Sequence, residues 1–262
     1  MIVNADDFGF TRDVNQGIVE AHRSGILTAT TLMANGDAFE DAVRLARANP
    51  TLDIGCHLVM VQGSSVFEPG KEMPRDLAGL VQALVRREIP VYKELRAQMM
   101  RILDAGLQPS HLDTHKHTHL LPPVLEAVSR LAREFGVPWV RRPFDFGIDA
   151  KARLTKRAVT LGMRLAKPGF ARLLEGLKTT DHFTGFQLTG TLDGSGLVRT
   201  LEALPEGLTE FMCHPGFLGE ELRAAKTRLK ESREVELRAL VSAEVREVIR
   251  RRGIELVNYR RA

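Results

Sequence analysis

The chain has 262 residues, 27% of them charged, and its 37 lysines and arginines outnumber its 33 aspartates and glutamates to give a net charge of +4. This small excess, with one tryptophan and two tyrosines, argues against a nucleic-acid-binding protein. Two cysteines argue against a disulfide framework and no apolar run is long enough to span a bilayer, so we expect a soluble cytoplasmic protein.

Predicted strands and helices alternate along most of the chain. Short apolar or alternating segments predict strands at 2–6, 29–33, 52–58, 110–115, 139–142, 209–214 and 255–259. Apolar residues at helical spacing predict helices at 14–23, 38–48, 93–105, 124–135 and 227–252. This alternation is typical of a parallel sheet covered by helices. The length fits one catalytic α/β domain over residues 1–262, a TIM-like (β/α) barrel of ~250 residues, regular or distorted.

Four predicted strands end in aspartate or histidine and pass directly into a loop that contains glycine or proline. These residues are Asp6 and Asp7 at the first strand, His57 and His115 at two middle strands, and His214 near the carboxyl end. In a β/α barrel the carboxyl ends of the strands surround the active site. The pattern therefore predicts that these five side chains converge.

The run from His111 to His119 holds four of the eight histidines. In a strand, alternate side chains share a face, so His111, Asp113 and His115 would point to one side. Histidine and aspartate that converge on a point are suited to a divalent metal. A solvated histidine-rich loop is the structural alternative.

Each of the other motifs also has a structural alternative. Asp6 and Asp7 could cap the following helix, although Thr11 or Asp13 could fill that position instead. A lone histidine at a strand end, such as His57, is more often a buried residue with satisfied hydrogen bonds than a ligand.

Cys56 and Cys213 each directly precede a candidate site histidine, which makes them look like zinc ligands. Neighbours in a strand point to opposite faces, so each cysteine would point away from its histidine. We therefore expect both cysteines to pack in the core.

Six motifs spread over nearly the whole chain carry a family resemblance. They are Asn4-Ala5-Asp6-Asp7-Phe8-Gly9, Ala21-His22-Arg23-Ser24-Gly25-Ile26-Leu27-Thr28, Leu32-Met33-Ala34-Asn35-Gly36, Gly55-Cys56-His57-Leu58, His111-Leu112-Asp113-Thr114-His115 and Met212-Cys213-His214-Pro215-Gly216. With these motifs the chain resembles the YdjC-like carbohydrate deacetylases, distant relatives of the polysaccharide deacetylases. The resemblance implies a metal-dependent hydrolase that removes the acetyl group from an N-acetylated amino sugar.

The resemblance also assigns roles to the residues at the strand ends. Asp7, His57 and His115 correspond to the family's metal ligands, Asp6 to the general base and His214 to a general acid. One carboxylate and two neutral imidazoles would leave a divalent ion open positions for water and a substrate carbonyl. The histidines favour zinc, whereas the family is often described as magnesium-dependent, so both Mg²⁺ and Zn²⁺ stay open.

Four further residues are candidates for supporting the ligands or binding substrate. Asp113 would orient a ligand imidazole. His111 shares its predicted face, and His117 lies in the loop beyond the strand. His182 belongs to a second signature, Gly176-Leu177-Lys178-Thr179-Thr180-Asp181-His182-Phe183-Thr184-Gly185-Phe186.

That second signature resembles the branch of the family associated with hopanoid biosynthesis. It implies that the acetylated sugar is the glucosaminyl headgroup of a hopanoid lipid, with a soluble chitooligosaccharide as the main alternative. The resemblance also allows a homodimer.

Two other functional classes compete with a deacetylase. A glycosidase could use Asp6 and Asp7 as its carboxylate pair, but adjacent residues rarely flank a glycosidic bond at the required ~5–10 Å, and the histidines would have no role. A non-catalytic metal-dependent binding protein would need the ligands but neither Asp6 nor His214.

A basic segment departs from a plain barrel and suggests a helical insertion around 144–182. Residues 150–178 contain eight basic residues and one acid, a balance of +7, so the remainder of the chain has a net charge of −3. Leu154, Ala158, Leu161 and Leu165 lie at helical spacing among these charges. Such a helix could rest on the anionic inner membrane surface, which would suit a lipid substrate. A lid or dimer helix with a solvated basic face is the alternative.

Overall fold

A computed structural model of the chain describes residues 1–147 and 154–262. Its strands are β1 (Ile2–Phe8), β2 (Ala29–Leu32), β3 (Asp53–Leu58), β4 (His111–Thr114), β5 (Trp139–Val140), β6 (His182–Thr184) and β7 (Thr209–Cys213). All of the paired strands are parallel, in the order β5-β4-β3-β2-β1-β7-β6. The sheet curls into a half-barrel, so the prediction of a TIM-like α/β fold is confirmed in this coarser form.

Helices surround the sheet. They are α1 (Arg12–Ser24), α2 (Phe39–Ala48), α3 (Leu77–Val85), α4 (Val91–Asp104), α5 (Pro122–Glu134), α6 (Leu154–Met163), α7 (Lys167–Leu173), α8 (Gly194–Glu202), α9 (Glu220–Ala224), α10 (Glu231–Leu240) and α11 (Ala243–Arg252). In α1, the Thr11 hydroxyl accepts a hydrogen bond from the Val14 amide, and Val14, Ile18 and Ala21 are buried on one face. Capping and the apolar stripe together explain why this helix begins and packs where it does.

The predicted strand at 255–259 is wrong, and one real strand was missed. The segment makes two backbone contacts with Met1, from the Met1 amine to Glu255 O and from Val257 N to Met1 O, without forming a ladder. Strand β6 has only three residues, too few to show a repeating pattern.

The predicted helix at 227–252 is two helices. The Ser242 hydroxyl accepts from the Val245 amide and so caps α11, which makes a new start after α10 ends. Helices α3 and α8 were not predicted; each begins after an aspartate whose side chain accepts from a backbone amide, Asp76 and Asp193 respectively.

The basic segment contains α6, a short 3₁₀ helix (Arg164–Ala166) and α7. Two of its basic residues, Lys151 and Arg153, lie outside the described residues. A single domain with a basic helical insertion around 144–182 stays a prediction. Within the described parts of the chain, no helix is long and apolar enough to cross a membrane.

Candidate active site

The carboxyl ends of four strands bring the predicted residues to one edge of the sheet. Asp6 and Asp7 lie at the end of β1, and His57 is the penultimate residue of β3. His115 directly follows β4, and His214 directly follows β7. All five line one cavity of about 850 Å³. We call these five residues the cavity floor, together with the four that contact them: Asp113, Arg141, Arg233 and Glu236.

A bulge in β1 explains how two adjacent aspartates reach the same cavity. Regular strand geometry would send their side chains to opposite faces. The register of β1 against β2 shifts between Ala5 and Phe8, and Asp7 has a left-handed backbone with φ of 70°. Aspartate tolerates this conformation better than most residues. The bulge therefore turns Asp7 towards the floor beside Asp6.

Three side chains place one ligand atom each around a common point. Asp7 Oδ1 is 3.4 Å from His57 Nε2 and 3.1 Å from His115 Nδ1, and the two imidazole nitrogens are 3.3 Å apart. All three atoms lie within 4.8 Å of one another. One carboxylate and two imidazoles at this spacing fit a divalent transition metal.

The electrostatics around His57 support a cation at this point. His57 Nδ1 lies 2.7 Å from Asp113 Oδ1, which fixes the ring so that Nε2 faces the cluster. Burial would lower the pKa of His57, but Asp113, Asp7 and Asp6 outweigh burial and raise it to about 10. Without a metal, the carboxylates thus hold a proton on this imidazole, and a metal ion would replace that positive charge.

In a second group of possible metal ligands, a buried arginine already neutralises the carboxylates. Asp6, His57 and Asp113 also come together. The buried guanidinium of Arg141 contacts both carboxylates, with Nη1 2.8 Å from Asp6 Oδ2 and 2.7 Å from Asp113 Oδ2, and Nη2 2.7 Å from Asp6 Oδ1. Its Nε donates to Glu210 at 2.6 Å. The group around Asp7 is therefore the better metal site.

Arg141 and Arg233 are residues of the cavity floor that the sequence analysis missed. Arg233 on α10 places Nη2 2.5 Å from Asp7 Oδ2. Burial opposes ionisation of Asp6 and Asp7, but Arg141 and Arg233 outweigh it and hold the pKa of each carboxyl below its usual range. Arg141 lies within the predicted strand at 139–142. Its position near the end of that strand was the one feature of the sequence that could have marked it as a site residue.

His214 and Glu236 form the remaining part of the cavity floor. The Glu236 carboxylate accepts a hydrogen bond from the His214 backbone amide at 2.6 Å and lies 3.9 Å from its Nδ1. Among the described residues, His214 Nδ1 has no hydrogen-bond partner. Burial lowers the pKa of His214 to about 4 and raises that of Glu236 to about 7. His214 is consequently neutral near pH 7.

The other predicted histidines occupy different places. His117 lines the cavity and its ring packs against Phe183 and Phe186. Lys116 and His117 both have left-handed backbones, with φ of 54° and 52°, and this turn brings His117 to the cavity. His119 lies behind it, hydrogen-bonded to the Arg141 carbonyl.

His111 and His182 lie away from the cavity. His111 stacks on Tyr259 and its Nε2 lies 3.0 Å from Asn4 Oδ1, so it reaches Asp6 only through Asn4, whose amide donates to Asp6 Oδ1. His182 begins β6 and contacts the Glu206 carbonyl before β7, at the opposite end of the sheet from His214. The prediction that His182 supports the site is therefore corrected: His182 lies at the amino end of β6, whereas the candidate site lies at the carboxyl ends of the strands.

The two cysteines are buried in the core, as predicted. Cys56 and Cys213 are both free thiols in the main apolar cluster, and Cys213 Sγ contacts the Asn4 carbonyl at 3.4 Å. Neither belongs to the ligand groups found in the described residues.

The cavity lining outside the floor carries five cations. We call them the basic wall; they are Lys116, Lys156, Lys226, Arg228 and Lys230. Among the described lining residues, the only carboxylate outside the cavity floor is that of Asp76. The wall is therefore strongly positive, while the floor combines carboxylates, imidazoles and paired arginines.

Comparisons with known proteins agree with this architecture. The family model described as YdjC-like protein matches residues 1–251. A carbohydrate deacetylase of Brevibacillus brevis is 36% identical over 267 residues, covering 99% of this chain and 98% of that protein. A chitooligosaccharide deacetylase of Salmonella paratyphi B is 32% identical over 262 residues, covering 97% and 95%. A crystal structure from Enterococcus faecalis, assigned provisionally to cellobiose-phosphate cleavage, has a TM-score of 0.77 and 28% identity and covers 99% and 97%.

Proposed function

This chain belongs to the YdjC-like family, and we propose that it is a metal-dependent hydrolase that removes the acetyl group from an N-acetylated amino sugar. Carbohydrate deacetylation is the activity named for its curated relatives. The observation that carries metal dependence is the convergence of Asp7, His57 and His115 at the cavity floor, with their ligand atoms within 4.8 Å of one another.

Asp7, His57 and His115 would hold one divalent ion, Mg²⁺ or Zn²⁺. A divalent ion bound there would acidify a water molecule and polarise the acetyl carbonyl. Asp113 keeps His57 in the orientation that presents Nε2. Arg233 holds the second oxygen of Asp7, which leaves Oδ1 for the ion.

Asp6 and His214 would move the protons. Hydrolysis of an amide requires that the attacking water lose a proton and that the leaving nitrogen gain one. Asp6 is ionised and can accept the first proton, although Arg141 makes it a weak base. His214 is neutral near pH 7, so it would relay to the leaving nitrogen the proton that Asp6 takes from the water. Acetate and a free amine are then the products.

For the substrate, we propose the glucosaminyl headgroup of a hopanoid lipid. Two observations support it: the signature over residues 176–186, and the exposed apolar side chains of α6, the helix whose Lys156 lines the cavity. A soluble chitooligosaccharide is the second candidate, favoured by the Salmonella relative. A homodimer and peripheral membrane contact stay predictions.

Acetate release tests the reaction and the substrate together. Metal-free, zinc-loaded and magnesium-loaded protein would be assayed on an N-acetylglucosaminyl hopanoid and on N,N′-diacetylchitobiose. We expect metal-dependent release from the lipid. Release from the disaccharide alone would retain the deacetylase and reject the hopanoid; release from neither, with metal bound, would reject the proposal.

The variant Asp6→Asn separates an enzyme from a metal-dependent binding protein. An enzyme should lose on the order of 10²–10⁴ in turnover because the proton acceptor is gone. Its metal content should stay unchanged, because Asp6 is not one of the proposed ligands. A variant that retains full turnover would remove Asp6 from the mechanism.

A further inference from the structure

The loop that joins β3 to α3 places a neutral amide side chain in the active-site cavity. Gln62 lies in this loop, residues 59–76, and lines the cavity. Among the described lining residues, the other uncharged polar side chains besides histidine are those of Thr189 and Thr227. Each threonine hydroxyl already forms a hydrogen bond of 3.1 Å with a nearby backbone group. The Gln62 side chain has no such partner within the described parts of the chain, so both its donor and its acceptor are available to a ligand.

The backbone of Gln62 has a left-handed conformation that is unusual for glutamine. Its φ is 66°, and the φ of the next residue, Gly63, is 73°. A residue with a Cβ is strained in this region, whereas a glycine adopts it freely. The turn itself would therefore be better served by a second glycine. Strained residues of this kind cluster at ligand-binding sites, so the strain points to a role for the glutamine side chain.

Two buried side chains on α4 fix the loop on both sides of Gln62. Gln98 accepts from the Val59 amide at 2.8 Å and donates to the Val59 carbonyl at 2.7 Å. Glu94 accepts from the Ser65 hydroxyl and from the next two backbone amides, at 3.0 and 3.1 Å. Gln98 also donates to Glu94 at 2.7 Å, which joins the two contacts. We call Glu94 and Gln98 the loop clamp.

Backbone hydrogen bonds close the loop around the strained turn. The Gln62 amide donates to the Pro74 carbonyl, and the Gly63 carbonyl accepts from the Met73 amide, both at 2.8 Å. This pairing ties the turn to the segment that leads to Asp76, which caps α3 and also lines the cavity. The backbone of Gln62 is thus fixed in advance, so that a ligand would have to order only its side chain.

We propose that Gln62 is a specificity-determining residue that hydrogen-bonds a hydroxyl group of the sugar, and that the loop clamp positions it. A side-chain amide both donates and accepts, as a hydroxyl does, so the two groups match. The acetyl carbonyl can only accept, and the proposed metal site serves it. A site built to hydrogen-bond a hydroxyl discriminates against analogues that lack it. The inference rests on the proposed deacetylase function, because it assigns the sugar to the same cavity.

Gln62→Gly removes the amide without threatening the fold, because glycine relieves the left-handed backbone. Metal-loaded wild type and variant would be assayed for acetate release from the N-acetylglucosaminyl hopanoid and from N,N′-diacetylchitobiose. We expect KM to rise about five- to tenfold, as for loss of one hydrogen bond to a neutral hydroxyl, with kcat changed by less than about twofold. The urea midpoint of unfolding should stay the same or rise. An unchanged KM would overturn the assignment.

Arg87→Gly is the matched control for backbone strain. Arg87 is also left-handed, with φ of 56°, but it is exposed just after α3 and lies outside the cavity lining. Its replacement should likewise preserve or raise the urea midpoint, and it should leave KM as in wild type. If both glycine variants raise KM alike, the change acts through the fold and not through the lost amide.

Deoxy sugars test the hydroxyl contact without turnover. Calorimetry on metal-free protein would compare N-acetylglucosamine with a set of derivatives that each lack one hydroxyl. Wild type should bind one derivative about fivefold more weakly than the parent sugar, and Gln62→Gly should bind the two equally. The same discrimination by both proteins would overturn the contact.

Ser65→Ala tests the clamp more gently than replacement of the buried Glu94. It removes one of the hydrogen bonds that Glu94 accepts. KM should rise about two- to threefold in the wild-type background and stay unchanged in the Gln62→Gly background, because the clamp acts through the glutamine. Equal rises in both backgrounds would overturn the positioning role.

These results separate Gln62 from the deacetylase. Sugar binding that depends on Gln62, without acetate release from either substrate, would retain the recognition residue and reject the reaction. Acetate release with the same KM in wild type and Gln62→Gly would retain the reaction and reject the residue. If wild type neither binds the sugar nor releases acetate, both are overturned.

Discussion

The cavity floor and the basic wall hold positive charge in opposite ways. In the floor, Arg141 and Arg233 are almost fully buried, and each contacts carboxylates at 2.5 to 2.8 Å. In the wall, Lys156 and Arg228 are only partly covered and form no ion pair with a described carboxylate. Paired buried charges fix geometry, whereas unpaired charges near solvent are available to a ligand. The floor therefore suits the chemistry and the wall suits recognition.

Removing a metal ligand should produce the largest effect and test the floor directly. Asp7→Asn and His57→Gln each take one ligand from the cluster, and loss of the ion would remove several kcal/mol of transition-state stabilisation. We expect acetate release to fall on the order of 10³-fold, since about 4 kcal/mol corresponds to that factor. Metal content by mass spectrometry should fall in parallel.

His182→Ala is the control for the ligand variants. His182 is a histidine at the opposite end of the sheet; its Nε2 lies 3.1 Å from the Glu206 carbonyl and its ring packs edge-on against Phe146. Its replacement should leave metal content and acetate release unchanged. A similar loss in this variant would mean that the ligand variants act through folding rather than through the metal.

Replacing Arg141 should be the next largest effect and should appear as lost stability. Arg141→Met leaves Asp6, Asp113 and Glu210 buried without their shared cation, and breaking a buried pair costs about 3–5 kcal/mol. Urea unfolding measures the loss. The neighbouring Arg142→Met, whose partner is a backbone carbonyl, should cost far less.

Lower pH should restore part of the free energy of unfolding that Arg141→Met loses. Without the guanidinium, burial should raise the pKa of Asp6 and of Glu210, so protonation as the pH falls from 7 to 5 should remove part of the uncompensated charge. If the deficit instead stays constant over this range, buried charge is not its cause.

The pH dependence of stability should differ between metal-free and metal-loaded protein. The pKa of His57 is raised to about 10 in the metal-free fold, against ~6.5 when unfolded. Its contribution is therefore complete below about pH 6.5 and declines by about 1.4 kcal/mol per pH unit as the pH rises towards 10. A bound ion replaces this proton, so the metal-loaded protein should lack this decline.

Unfolding in urea at pH 6.5, 7.5 and 8.5 would measure both forms. Glu210 and Glu236, with pKa values raised to about 7 by burial, also favour the fold at lower pH in both forms. The informative quantity is thus the difference between the two forms. If this difference does not grow with pH, then His57 does not carry the displaced proton.

The floor was largely predictable from the sequence because strand ends in a parallel sheet converge. Asp6, Asp7, His57, His115 and His214 all reach the cavity, as that argument predicts. The same rule could not foresee that a bulge turns Asp7 beside Asp6, since alternation alone sends adjacent residues apart.

The arginines that contact the carboxylates of the floor were less predictable, because they come from segments far away in the sequence. Arg233 contacts Asp7 across 226 positions of sequence, and nothing local to α10 marks it. His182 shows the converse error: its motif indicates function, but its position at the start of β6 places it at the wrong end of the sheet.

The smallest expected effect concerns the outer face of the wall, where α6 meets solvent. Leu161 on α6 and Leu165 in the following 3₁₀ helix are 54% and 86% exposed, and Arg157 lies on α6. Burying a leucine side chain contributes ~1.5–3 kcal/mol when complete, so partial insertion of two should change binding to anionic vesicles about tenfold.

Wild type should float with anionic liposomes at low salt, and Leu161→Asp/Leu165→Asp should bind about tenfold more weakly. Val85→Asp, at a valine 78% exposed on α3, is the control and should float as wild type. If wild type does not float with the liposomes, α6 is instead a lid or a dimer contact. Sedimentation of the double leucine variant distinguishes the two, because loss of a dimer contact would lower the measured mass to that of a monomer.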